Sequence, residues 1–249
     1  MKTLNYILFT LLVASFTSVA HGQVEDPVDY QTVPITNQAG TQIYTEDSKD
    51  VVGSPLIKDS FKNGRILFDS NKASEIMPLN FDAYRNQVLF IKDDQIRVLN
   101  TNNVRGFVFE KPADFASSDK VQEVFTLQLR NEEFGFREPT PVQVLYNQKT
   151  GLKLLALHRS NLMKGNNKDP FTGKVTDRYI SDTEYFLQTR DGKITELRRL
   201  RDKDIMNVLG KKYKKELKSF IKKNDLDGKS QKDLVKLLAY YDTNIAQSS

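Results

Sequence analysis

Side chains able to act as nucleophiles, metal ligands or general bases are scarce in this chain. Its 249 residues include no cysteine and two histidines, which excludes disulfide bonds, thiolate catalysis and cysteine-based metal sites. His158 follows Leu152, Leu154 and Ala156 at alternate positions, which predicts a core or rim residue at the end of a strand. Its alternative role is a lone general base, but no G-x-S-x-G motif accompanies it. The sequence therefore predicts no catalytic residue, no metal site and no cofactor.

Two short segments match part of a serine acyl-transfer signature. Ser117-Ser118-Asp119-Lys120 fits S-x-x-K, and Lys149-Thr150-Gly151 fits K-T-G. In enzymes that use these motifs, the serine opens a helix in a helical domain and the K-T-G strand lies far later in the chain. Here about thirty residues separate the two segments, and no S-x-N lies between them. The spacing therefore argues against acyl transfer.

An acidic segment near the C-terminus suggests a calcium loop. Asp225, Asp227 and Gly228 lie between two predicted helices. If Gly228 takes the sixth loop position, Lys223 is at the first and Leu234 at the twelfth, where calcium requires oxygen ligands. The segment is therefore better interpreted as a turn that ends a helix.

Paired carboxylates are the remaining acid–base candidates. Glu132, Glu133 and Glu138 lie near Phe134 and Phe136, and two carboxylates on either side of a glycosidic bond can hydrolyse it. Sequence spacing alone does not place two of them across a substrate. A carboxylate-dependent hydrolase is therefore the third functional hypothesis, after two binding hypotheses.

Basic charge is concentrated near the C-terminus. The net charge of the chain is +5, whereas residues 198–236 contain fourteen Lys or Arg against six Asp or Glu. Such asymmetry is typical of contact with an anionic polymer or lipid headgroups, and also of a solvated helix face. The candidates for contact with an anionic surface are Lys211, Lys214, Lys215, Lys218 and Lys222.

The N-terminal residues have the pattern of an export signal. Lys2 precedes an apolar run from Tyr6 to Val13, and Ser18-Val19-Ala20 supplies small residues for cleavage. The run is shorter than the ~20 apolar residues of a transmembrane helix. We expect residues 1–22 to be removed as a signal peptide, with a cut after Gly22 slightly preferred to one after Ala20. The mature protein is then expected in the periplasm, or alternatively outside the cell, without a transmembrane segment or a nucleic-acid partner.

Residues 51–199 are predicted to form an antiparallel β domain. Short apolar or alternating segments are separated by polar turn residues roughly every eight to twelve positions. In Val124–Arg130, for example, Phe125, Leu127 and Leu129 point to one face of a strand. The other predicted strands are Gly64–Phe68, Val88–Lys92, Gln95–Leu99, Val104–Phe109, Val142–Tyr146, Leu152–Arg159 and Tyr179–Gln188.

Tight turns join several of these strands. Asp93-Asp94 and Asp191-Gly192 suit two-residue hairpins, so strands adjacent in sequence are expected to pair in space. Residues 23–50 are predicted to be a lead-in strand or an N-terminal arm, with weak strand character at Thr32–Ile35 and Gln42–Tyr44.

Residues 200–249 are predicted to form basic helices. The apolar period changes there from two to about 3.6, with Leu217 and Phe220 on one stripe. A second helix is expected to open at Ser230, where Asp233 completes a variant capping box. Both helices are short, so their apolar stripes should pack against each other or against the sheet. The predicted fold is α+β, mainly β: a curved antiparallel β-meander, a half-barrel or an open sheet of roughly eight to eleven strands, with a C-terminal helical pair.

Three motifs carry a resemblance to known proteins: Gly53-Ser54-Pro55, Leu79-Asn80-Phe81-Asp82 and Tyr240-Tyr241. With them, the chain resembles exported Gram-negative β-meander proteins of unknown function that end in a lysine-rich helical tail. The resemblance implies export and a sheet-plus-helix architecture, and it transfers no catalytic residue. The meander also resembles periplasmic half-barrels that carry lipids or lipoproteins, but those proteins place a helix ahead of the strands.

These observations lead to two binding hypotheses. The first is an exported, soluble, non-enzymatic protein whose partner is an envelope protein or an anionic envelope polymer. The alternative is a periplasmic carrier that holds a lipid or another apolar ligand in the concave face of the sheet. The candidate lining residues for that ligand are Phe107, Phe109, Phe125, Leu127 and Leu129.

Overall fold

The computed structural model describes residues 31–35, 43–44, 51–69, 71–110, 122–127, 139–148, 150–165, 173 and 175–245. Thirteen strands are present within these residues: β1 (Gln31–Val33), β2 (Val51–Val52), β3 (Lys62–Phe68), β4 (Lys72–Ser74), β5 (Met77–Asp82), β6 (Gln87–Lys92), β7 (Gln95–Val98), β8 (Val104–Phe109), β9 (Glu123–Thr126), β10 (Val142–Asn147), β11 (Lys153–Met163), β12 (Asp177–Gln188) and β13 (Ile194–Leu197). The α-helices of the same described part are α1 (Asp202–Leu209), α2 (Lys214–Lys223) and α3 (Gln231–Tyr240). A 3₁₀ turn, Lys211–Tyr213, leads into α2, and a π-helical turn, Tyr241–Ile245, extends α3.

The strands form one open sheet. Its main path runs β13-β12-β11-β10-β9-β8-β3-β5-β6-β7, and every neighbouring pair along it is antiparallel. Asp93 and Asp94 both take positive φ, 53° and 56°, as a tight hairpin between β6 and β7 requires. The predicted class, a mainly β α+β protein with an open sheet and C-terminal helices, is confirmed.

The topology differs from a simple meander in two respects. Strand β8 does not pair with β7, because β3 lies between β5 and β8 and the pairing of β3 with β8 places Ile66 beside Phe107. Short strands β1 and β2 add parallel pairs with β4 and β12. Strand β5 was not predicted, since Pro78 and two polar residues, Asn80 and Asp82, interrupt its apolar pattern.

Two large hydrophobic cores and two smaller clusters lie along the sheet in the described residues. One large core is formed by residues of β3, β5, β6, β8 and β9, with Phe107 and Phe125 fully buried at its centre. The other is formed where the helices pack on β10 to β13, with Leu154 and Leu187 facing Leu217 and Leu238. The helical pair therefore covers one end of the sheet, as its apolar stripes predict.

Local signals set the helix ends. The Ser230 hydroxyl accepts a hydrogen bond from the Asp233 backbone N–H, which confirms the predicted N-cap of α3. Gly210 ends α1 with φ 114°, a conformation that favours glycine. None of the helices in the ranges given above has the length and apolar character needed to cross a membrane.

Several sequence predictions lie outside the described residues. They are the signal peptide at 1–22, most of the arm at 23–50, the S-x-x-K segment at 117–120, Lys149, residues 128–130 with Leu129, and the carboxylates Glu132, Glu133 and Glu138. They remain predictions.

Candidate functional site

The exposed face of α2, together with the 3₁₀ turn that leads into it, carries a row of lysines. Lys211, Lys215, Lys218 and Lys222 are separated by four, three and four residues, which places them on one side of a helix. All four are exposed, and no ion pair among the described residues involves any of them. From Lys211 to Lys222 the row extends about 16 Å along the helix axis. We refer to these four residues as the lysine row.

Two other lysines of this segment contact neighbouring side chains, whereas Lys223, the last residue of α2, is exposed. The Lys214 ammonium donates to Asn207 Oδ1 at 2.6 Å, and Lys214 is half-buried. The Lys212 ammonium lies 4.5 Å from the ring centroid of Tyr213, within cation–π distance. Of the five predicted contact residues, the structure thus brings four into the row and places Lys214 beside it.

The opposite face of α2 is buried. Leu217 is fully buried, and Tyr213, Phe220 and Ile221 pack on the same core. The rings of Phe220 and Tyr240 stack with their centroids 3.9 Å apart and an interplanar angle of 9°. Packing of this face fixes the orientation of the helix, so the lysine row is held pointing away from the core.

A buried carboxylate fastens the helical region to the sheet. Asp242, in the π-helical turn, is 3% exposed. Its Oδ1 accepts from Arg190 Nη2 at 2.7 Å and Nε at 3.1 Å, and Thr150 Oγ1 lies 2.7 Å from Oδ2. Thr150 lies in the turn between β10 and β11, and Arg190 in the turn between β12 and β13. One carboxylate thus joins two hairpins to the end of α3, and we call this group the Asp242 anchor.

The anchor also affects a buried tyrosine. The Tyr146 hydroxyl donates to Asp242 Oδ2 at 3.4 Å. Burial, followed by the negative charge of Asp242, raises the pKa of Tyr146 well above its usual value. Tyr146 therefore stays protonated at any ordinary pH and acts as a donor to the carboxylate.

A second group of hydrogen-bonded side chains extends across strands β9, β10, β11 and β12 and is centred on His158. His158 Nε2 lies 2.7 Å from Gln143 Oε1, and Nδ1 lies 3.2 Å from Thr183 Oγ1. Gln143 Nε2 donates to Glu123 Oε2 at 3.5 Å, and the same oxygen accepts from Lys58 Nζ at 2.7 Å. With the Gln143 amide oriented in this way, its oxygen accepts from His158 Nε2–H, so Nδ1 accepts from the Thr183 hydroxyl.

This arrangement holds the imidazole neutral. Burial, and secondly the positive charge of Lys58, lowers the pKa of His158. Both ring nitrogens are hydrogen-bonded to side chains of neighbouring strands, so neither is left available to take a proton from a substrate. The geometry supports the structural interpretation of His158 over a general base.

The predicted apolar lining residues lie in the first core. Phe107, Phe109, Phe125 and Leu127 are at most 3% exposed. Phe107 and Phe125 stack with centroids 4.6 Å apart, and Phe109 contacts both rings edge-on at 5.3 and 5.7 Å. These side chains therefore fill space against one another, and a ligand would have to separate them to reach their surfaces.

Two of the three motifs of the resemblance lie in or next to the sheet, where they make hydrogen bonds. Asn80 Nδ2 donates to the Lys58 carbonyl at 2.9 Å. Asp82 accepts from the Tyr44 hydroxyl at 2.9 Å and from the Arg85 backbone N–H at 2.8 Å. Pro55 O accepts from Ala83 N at 2.9 Å. These two β motifs therefore fasten the segment ahead of β3 to the end of β5.

The acidic segment after α2 forms a turn rather than a cation site. Asp227 Oδ1 accepts from the Lys229 backbone N–H at 2.9 Å, and a Cβ on Gly228 would lie 2.7 Å from the Asp202 carboxyl carbon. Throughout the described ranges, no group of three or more His, Cys, Asp or Glu side chains converges as a metal site would.

The Asp242 anchor could not be found by sequence analysis. Thr150 and Arg190 lie 92 and 52 residues from Asp242, and no short motif connects them. The available signal was a single acidic residue beside the apolar stripe of α3, directly after Tyr240-Tyr241. Comparison of the chain with protein-family models, curated proteins and solved structures gave no match.

Proposed function

We propose that this chain is an exported, soluble, non-enzymatic protein that binds an anionic partner in the cell envelope through the lysine row of α2. The observation that carries the proposal is the uncompensated charge of Lys211, Lys215, Lys218 and Lys222 on a helix whose other face is buried. An envelope partner follows from the predicted export signal.

The electrostatics of α2 favour this role over a purely solubilising one. A solvated surface helix commonly alternates lysine with glutamate at four-residue spacing. Here the one acidic residue of α2, Glu216, accepts from the Tyr240 hydroxyl at 3.0 Å, so it neutralises no member of the row. Like charges at this spacing repel one another, and an anionic partner would relieve that repulsion.

The other hypotheses have less support. To carry an apolar ligand, the protein would have to break the ring contacts among Phe107, Phe109 and Phe125 inside a packed core. A hydrolytic role would depend on Glu132, Glu133 and Glu138, which lie outside the described residues, and the imidazole of His158, engaged on both sides, adds no support to it. Neither has a specific observation in its favour.

Co-sedimentation with envelopes isolated from the native cells tests the proposal. Wild-type protein is compared with a row variant, K211Q/K215Q/K218Q/K222Q, and with a scattered variant, K72Q/K193Q/K203Q/K232Q. Both variants lose four charges, and all eight lysines are exposed, so only the position of the charge differs. Since exposed ion pairs contribute about 0.2–1 kcal/mol each, we expect the row variant to bind about tenfold more weakly.

Salt dependence and the scattered variant decide the outcome. Wild-type binding should fall steeply between about 50 and 500 mM salt, as screening shortens the Debye length, and the scattered variant should bind within about twofold of wild type. Equal binding of the row variant and wild type would rule out the proposed surface. Export is checked separately by N-terminal sequencing of the protein from the periplasmic fraction, which should begin at Gln23 or, with the earlier cut, at His21.

A further inference from the structure

We infer that the partner of the lysine row is a linear polyanion, such as an acidic polysaccharide, that lies along α2 without inserting between lipids. This inference rests on the proposed function and specifies the chemistry of its partner. Three features of the helix carry it: its buried apolar face, the single-file arrangement of the lysine row, and the position of its one acidic residue.

The buried apolar face argues against a membrane-inserting helix. Interfacial helices bind bilayers by burying an apolar face among the acyl chains, and lysines on the polar face add to that attraction. In α2, Leu217 is fully buried and Phe220 stacks on Tyr240, so this face already contacts the protein core. The contact that remains available to α2 is therefore electrostatic.

The lysine row is a line rather than a patch. Lys212 and Lys214, which would widen it, are held against Tyr213 and Asn207. Lys223 is exposed and is turned about 100° from Lys222 around the axis, so it widens the row only at its C-terminal end. The four ammonium groups of the row follow one another at about one per helical turn along about 16 Å. A flexible chain with a charge on every repeat unit can place successive anions beside successive lysines. A flat layer of headgroups would meet only a narrow strip of charge.

The acidic residue of α2 lies away from this line. Glu216 follows Lys215 directly and is turned about 100° from it around the axis, where the Tyr240 hydroxyl donates to its carboxylate. A polyanion lying along the row therefore meets no carboxylate of α2. Because the chain is predicted to be exported, the polyanion that it would meet is a polysaccharide rather than a nucleic acid.

Binding of polyuronate oligomers of graded length tests the inference with the full protein. Affinity should rise with oligomer length until the oligomer spans the row, about 16 Å. Further units should then change the affinity little. Replacement of the central Lys218 by Gln should weaken binding about two- to fivefold for all but the shortest oligomers. Lys232→Gln, on the exposed side of α3, is the matched single-charge control and should change the affinity less than twofold.

Vesicles of phosphatidylglycerol and phosphatidylethanolamine, at the same concentration of negative charge, provide the competing arm. The inference is supported if the long polyuronate binds more tightly than the vesicles. It is overturned by tighter binding to the vesicles, by vesicle binding that survives about 1 M salt, or by an affinity that does not depend on oligomer length. Row-dependent binding to native envelopes without polyuronate binding would also overturn it while leaving the proposed function intact. If the wild-type protein and the row variant bind native envelopes equally, the proposed function itself is refuted.

Discussion

Replacement of Asp242 by Ala should remove much of the stability that fastens the helices to the sheet. The carboxylate is 3% exposed and accepts from the Arg190 guanidinium, the Thr150 hydroxyl and the Tyr146 hydroxyl. Removing one partner of a buried ion pair costs about 3–5 kcal/mol, because the remaining charge is left without compensation. The Arg190 side chain is 30% exposed, so water can solvate it in part. We therefore expect a loss of about 3 kcal/mol in the free energy of unfolding, the low end of that range.

Urea unfolding followed by circular dichroism measures this loss. Asp242→Asn keeps the size of the side chain and one acceptor oxygen but removes the charge, so it should lose about 1.5–3 kcal/mol. Asp59→Asn is the control, since Asp59 is exposed, and such surface changes stay within about 0.5 kcal/mol. Hydrogen exchange should increase in residues 231–245 of Asp242→Ala and stay unchanged in residues 62–109.

Two results would refute this reasoning. If Asp242→Ala unfolds at the same urea concentration as the Asp59→Asn control, the anchor contributes nothing to stability. If Asp242→Ala is destabilised but hydrogen exchange rises evenly across the sheet, the carboxylate stabilises the whole domain and does not specifically hold the helical end.

Three further predictions concern the sheet. Gly106→Ala should destabilise the protein by about 3 kcal/mol or more in urea unfolding, because the new Cβ would lie 2.0 Å from the Phe125 carbonyl oxygen; near-wild-type stability would show that the two strands can separate. Phe125→Ala should cost about 3–5 kcal/mol by the same assay, since its ring is 1% exposed and stacks on Phe107; a loss below about 1 kcal/mol would mean that the core closes over the gap or is already open. The fold lowers the pKa of His158 below 6.5, so the unfolded chain binds more protons than the folded protein in this pH range. The stability contributed by the neutral imidazole is therefore lost as the pH falls below about 6.5. His158→Asn should therefore flatten the dependence of unfolding free energy on pH between about 7 and 5, and an unchanged slope would assign that dependence to another group.

The fold class could be predicted because its signals are local. Alternation at Phe125 and Leu127, the hairpin residues Asp93 and Asp94, and the helical stripe that includes Leu217 each act within a few residues. The placement of β3 between β5 and β8 could not be predicted in this way, because pairing between strands distant in sequence depends on which faces pack together. The sequence pattern on β8 is equally compatible with β7 as a neighbour.

The candidate site was predictable in part for the same reason. The lysine row follows from helical spacing alone, and four of its five predicted members occupy it. That Lys214 contacts Asn207 instead depends on how α2 meets α1, which no periodicity specifies. The Asp242 anchor joins residues from two turns and a helix end, and polar groups that meet only in the folded protein leave no repeating pattern in the sequence.

The position of β3 also affects how the sheet can be assembled during synthesis. A ribosome releases the chain from its N-terminus, so β3 emerges before β4 to β7, and its partner β8 follows only after all of them. Until Val104–Phe109 emerge, the edge of β3 that will receive them offers unpaired backbone groups and the apolar side chain of Ile66 to any other strand nearby. During this interval the nascent chain is exposed to aggregation, and a chaperone that shields residues 62–68 would protect it.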